Sequence, residues 1–208
     1  MRLQFTTWNV FIQDGNFDDF RVNGEFTDNL SIGIKDNFTA IKTVSKTSLH
    51  QIKFNLYNMT CYVYKIEKGV IFVESSGLYF TIDTHDYLLQ EGKYYSFIGE
   101  VYHDIWNWIG LDEYLSIHYY DELKTNGVIQ SIHLDTSKPI KLDGQKYFSI
   151  GIKPIYNISV DKTSAWEDEE YTNCSFNYLL DIEIDDLQIE RKRVLIALNN
   201  LIIKEKEK

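Results

Sequence analysis

The chain has 208 residues, 44% of them hydrophobic and 15% aromatic, enough apolar surface to bury a core without metal or disulfide staples. With 31 acidic residues against 21 basic ones the formal net charge is −10, so the field of the protein repels phosphate backbones and anionic headgroups. Neither nucleic acid nor a membrane surface is an expected partner, and fifteen tyrosines, twelve phenylalanines and only two prolines exclude a disordered chain and favour strands.

The opening stretch, MRLQFTTWNV, lacks the unbroken apolar run of a signal peptide, and no membrane-length apolar run follows it. The expectation is a soluble, cytoplasmic protein. In that setting Cys61 and Cys174 are expected as reduced, buried thiols. The Asn-x-Ser/Thr triplets at Asn29, Asn37, Asn58, Asn157 and Asn173 then carry no weight as glycan sites.

Further along, KFNLYNMTCYVYKI, GVIFVE, GLYFTID, KYYSFIGEVYH, YLSIHYYDEL, GVIQSIHL and SFNYLLDIEI have strand length, alternation and composition. Ser75-Ser76-Gly77 separates two of these runs as a hairpin loop does. Asn126-Gly127 is the dipeptide favoured where both central turn residues need positive φ. From Glu190 the period changes: ERKRVLIALNNLIIKEKEK places Val194, Leu195, Leu198, Leu201 and Ile202 on one helical stripe, with Asp185 and Asp186 upstream as start signals. The expected fold is therefore all-β, an antiparallel sandwich or barrel, with one C-terminal helix over residues 190–208 that packs on the sheet or joins a second copy of the chain.

The pentapeptide SIGIK occurs twice, in LSIGIKDNF from Leu30 and in FSIGIKPIY from Phe148. Each copy follows a turn glycine, Gly24 or Gly144, and precedes a Lys-Thr-Ser, at Lys46 or Lys162. Read as an internal duplication, this divides the chain into a first β lobe, 1–91, and a second, 92–208. The simpler layout is one domain, 1–208, whose strands resemble one another because they solve the same burial problem.

A two-residue loop at Asn126-Gly127 predicts a register in which His118 falls opposite Asp135 and Tyr120 opposite His133, so that His118, His133 and Asp135 share a face. Two imidazoles and a carboxylate suit a metal with open positions, or a general base oriented by Asp135. The same pattern describes the solvated face of a half-buried hairpin. No phosphate-binding loop, dinucleotide glycine pattern, G-x-S-x-G elbow or C-x-x-C pair occurs, and no cofactor is expected. Recognition suits the sequence better. Trp166, Glu167, Asp168, Glu169, Glu170 and Tyr171 join consecutive acids to flanking rings, which can grip a basic protein surface as inhibitors and immunity proteins do. Trp106, Trp108 and Trp166 could instead stack on sugars, and the bland reading of the same residues is a core tryptophan beside a solvated acidic loop. The expectation is a non-enzymatic binding protein for a basic protein partner, with a metal-assisted enzyme or a carbohydrate-binding module as the alternatives.

Overall fold

The structure is a computed structural model that describes residues 1–8, 19–42, 46–67, 70–83, 89–103, 123–137, 153–163, 177–187 and 189–190. Among the described residues eleven strands form one hydrogen-bonded system: β1 (Arg2–Trp8), β2 (Glu25–Asp28), β3 (Leu30–Ile41), β4 (Ser48–Lys53), β5 (Leu56–Glu67), β6 (Val70–Ser75), β7 (Leu78–Asp83), β8 (Tyr94–Tyr102), β9 (Thr125–Leu134), β10 (Ile158–Val160) and β11 (Asn177–Glu183). The all-β expectation holds. Within this system β3, β7, β6, β5 and β8 close on themselves as a five-stranded barrel, because β8 pairs with both β3 and β5. All its ladders are antiparallel except that between β3 and β7, which is parallel.

Alternation decides what fills the barrel. Met59, Cys61 and Val63 of β5, and Tyr95, Phe97 and Val101 of β8, point inward at every second position and join Ile32, Val73, Phe80 and Ile82 in one core. Gly99 sits on the same inward rhythm. A Cβ there would lie 2.6 Å from Ile32 Cγ2, so a side chain at this position would have to displace Ile32. The hairpin between β6 and β7 turns at Ser76 and Gly77, with φ of 53° and 83°, as the Ser-Ser-Gly signal predicts.

The barrel opens into a second sheet at one place. Strand β5 holds the edge of β8 as far as the pair Leu56↔Glu100, and β1 takes over that edge in parallel at Thr6↔Tyr102. Asn55 fills the gap: its carbonyl accepts from Val101 N (2.8 Å), and its amide donates to Val101 O and Thr6 Oγ1, each at 3.2 Å. The Tyr57 hydroxyl donates to Gln4 O (3.0 Å) and accepts from Gln4 N (2.7 Å), completing the backbone bonds of β1 where no strand reaches it. Beyond β1 lie β11 and then β9, whose far edge is shared by β2 and β10. Strands from 1–91 and 92–208 thus interleave in one sheet, β1 with β11 and β2 with β9. The second SIGIK copy, apart from Lys153, lies outside the described residues.

The expected hairpin at Asn126-Gly127 is not there. Both residues lie inside β9, paired with Thr27 and Phe26, and neither has the positive φ that the turn requires. The glycine answers a different need: a Cβ at Gly127 would stand 2.9 Å from Glu183 O and 3.1 Å from Ile182 Cδ1, where β11 crosses close beside it. At the chain's end, Asp185 Oδ1 accepts from Leu187 N (2.9 Å) and Asp185 O from Ile189 N (3.3 Å), so this aspartate caps a first helical turn. The remainder of the expected helix, 191–208, lies outside the described residues.

Two outcomes test this packing. Gly99→Val should cost about 2 kcal/mol or more by overpacking the barrel, read as a lower urea midpoint at unchanged slope; an unaltered midpoint would disprove the close approach. Burial, reinforced by Asp181 and partly offset by the Gln4 bond, drives the Tyr57 phenol well above its ordinary range. The folded chain then keeps a proton that the unfolded chain loses above about pH 10, so stability is full below that pH and falls above it. Tyr57→Phe should lower the neutral-pH midpoint and reduce the alkaline slope.

Candidate functional site

The predicted trio of His118, His133 and Asp135 loses its basis with the hairpin. His118 lies outside the described residues. His133, on β9, is held by two hydroxyls, Ser131 Oγ at 3.2 Å from Nε2 and Ser159 Oγ at 3.2 Å from Nδ1. Asp135, just past the strand, is buried, and its Oδ1 accepts from Ser137 N (2.9 Å) and Ile155 N (3.0 Å), which pins the 153–157 segment to the end of β9. Among the described residues no group of three or more His, Cys, Asp and Glu is placed to hold a metal ion. Trp106, Trp108, Trp166, Glu167, Asp168, Glu169, Glu170 and Tyr171 lie outside the described residues.

A different imidazole sits in a constellation that sequence reasoning missed. His103, 1% exposed, directly follows β8 between the rings of Phe20 and Phe26, which meet it edge-on at 5.8 and 5.6 Å. Its Nδ1 lies 3.1 Å from Thr7 Oγ1 and its Nε2 3.2 Å from Asp28 Oδ2. Hydroxyl, imidazole and carboxylate in that order form the array of a nucleophile, its base and an orienting acid. Thr7, however, is fully buried, so its hydroxyl meets no substrate, and the array serves to tie β1, β2 and β8 together. Nothing local announces it, since Asp28 stands 75 residues away and only the fold brings it near.

Among the described residues, a groove lies over β2, β9 and β11. Two adjoining cavities of about 410 and 500 Å³ share Val128, Glu183 and Asp185. Glu25, Thr27 and Asn126 line the first; Met1, Gln130 and Asp186 line the second. At this point β2 begins and β11 ends, with Glu25 and Glu183 opposite Val128 on its two sides, and Val128 is 41% exposed. Its chemistry is one-sided. Glu25, Glu183, Asp185 and Asp186 supply carboxylates, and Asn126 Oδ1, buried at the atom, accepts no hydrogen bond. Among the described lining residues the one cation is the Met1 ammonium, already donating to Ile184 O (2.7 Å) and Asp186 Oδ1 (3.2 Å). Leu187, 67% exposed, adds an apolar residue next to Asp186.

No protein family, curated protein or solved structure matches this chain.

For the buried array, Asp28→Ala should lower stability by about 2 kcal/mol, because it removes a carboxylate that both His103 and the Asn29 backbone N–H use. Urea unfolding measures this, and a midpoint equal to that of the parent would show that the array does not hold the strands.

Proposed function

We propose that the protein is a non-enzymatic, cytoplasmic binding protein that engages a basic protein partner in the manner of an inhibitor or immunity protein. The observation that supports this reading is the one-sided groove over Val128. A net charge of −10 surrounds it, four carboxylates rim it, and an exposed aliphatic side chain lies at its centre. An acidic surface with an apolar centre recruits a basic surface by long-range attraction and holds it by desolvated contact. Trp166 and Tyr171, with Glu167, Asp168, Glu169 and Glu170 between them, are proposed as a second set of contacts of the same kind. The comparison with immunity proteins rests on charge and composition.

Affinity capture from the native cell extract, followed by binding kinetics, tests the reading. The expected partner is basic, and its association rate should fall as the Debye length shortens to about 8 Å at physiological ionic strength, while dissociation responds less. Trp166→Ala should speed dissociation, with a cost on the order of 2 kcal/mol, and leave the melting temperature unchanged. An acidic partner, or association indifferent to salt, would sink the proposal.

A further inference from the structure

We infer that Ser159 is a nucleophilic serine, a modification site at which the chain accepts an acyl group from a thioester. The inference goes beyond the basic-partner reading and does not depend on it. It starts from register. Ser159 of β10 stands directly opposite His133 of β9, and Ser131 lies two residues before His133 on the same strand, so the three side chains share one face of the sheet. Ser159 is the exposed member. Its Oγ lies 3.2 Å from His133 Nδ1, and the other ring nitrogen, Nε2, lies 3.2 Å from Ser131 Oγ. An accessible hydroxyl, an imidazole within hydrogen-bond reach and a third group on the far nitrogen are the arrangement of an activated nucleophile. Thr7 and His103 stand in the same relation, with the difference that the Thr7 hydroxyl is fully buried and the Ser159 hydroxyl is not.

A neutral imidazole carries one donor and one acceptor, so one of the two hydroxyls receives its N–H and the other gives it a proton. In the reactive tautomer Nε2–H donates to Ser131 Oγ, which leaves the Nδ1 lone pair facing Ser159. Ser131 is thus a positioning residue: it fixes the ring and accepts the N–H that the base must keep. The step balances without a cofactor. Ser159 Oγ attacks the thioester carbonyl carbon as its proton passes to His133 Nδ1. The tetrahedral adduct then collapses with loss of the C–S bond, and the departing thiolate takes the proton from the imidazolium. A serine ester and a free thiol result, with no change of oxidation state. A thioester suits a single base of this kind because a thiolate leaves far more readily than the amide or alkoxide of an ordinary acyl group.

The test treats the full chain with phenyl thioacetate, folded in buffer and unfolded in concentrated urea, and maps acetyl groups by peptide mass spectrometry at matched times. Ser159 should be acetylated at least about tenfold faster in the folded chain, since a positioned base is worth about a hundredfold or more. His133→Gln should bring the folded rate down to the unfolded one. Ser131→Ala should lower it about threefold or more, and Ser131→Thr, which keeps the hydroxyl, should restore it. Rates are taken well below each variant's melting temperature, so that lost stability cannot pass for a lost base, and the comparison of folded with unfolded chain needs no variant. Equal rates in the two states, or acetyl groups on lysines and none on Ser159, would overturn the proposal and leave the pair as a tie between β10 and β9. A His133→Gln rate equal to the parent's would overturn it too.

Discussion

One edge of β8 has to serve two strands, and the rest of the architecture depends on how that edge is divided. An edge that ran along β5 throughout would close the barrel and leave β1 paired to β11 alone. An edge that ran along β1 throughout would leave the barrel open. The chain does both by changing partner between Glu100 and Tyr102, and the backbone groups exposed at the change are met by side chains. Asn55 spans from Val101 to Thr6, and Tyr57 takes both polar groups of Gln4. Buried backbone groups are rarely left unpaired, so these two residues are a condition of the junction.

Polar ties on both sides of β1 then hold the second sheet against the barrel. On the core side, Thr7, His103 and Asp28 connect three strands through one imidazole packed between two phenylalanines. On the other side, buried Asp181 of β11 receives Arg2 in two bonds, at 2.7 and 3.2 Å, and Gln4 at 3.1 Å, while Gln51 of β4 donates to Gln4 Oε1 at 2.7 Å. Each buried charge or ring nitrogen is matched by a named partner, which is the arrangement under which burying it is tolerable.

The groove follows from the same economy of strands. Two short partners, β2 and β10, divide the far edge of β9 between them, so the sheet face at Val128 is bordered by strand ends rather than covered. At this place acids stand at the strand ends: Glu25 opens β2, Glu183 closes β11, and Asp185 and Asp186 follow it. Among the described residues this leaves Val128 exposed between carboxylates on both sides.

Strand existence was legible in the residues. Of the seven runs singled out by alternation, three contain β7, β8 and β11, three overlap β5, β6 and β9 but stop one or two residues short at one end, and the seventh, 114–123, lies mostly outside the described residues. The turn at Ser76-Gly77 and the cap at Asp185 were legible for the same reason: backbone propensity and local side-chain bonds act over a few residues and leave a mark in them. The acidic character of the surface was equally plain. What the residues could not carry was partner choice. Asn126-Gly127 has the chemistry of a turn, yet it lies inside β9 with β2 paired along it, and the same missing Cβ that would permit a turn permits the close approach of Glu183 O. The parallel contact of β3 with β7, the division of the β8 edge and the meeting of His103 with Asp28 join segments far apart in the chain. Their free energy is realised only when the whole sheet closes, so no short stretch of sequence records it, and the tertiary structure alone decided them.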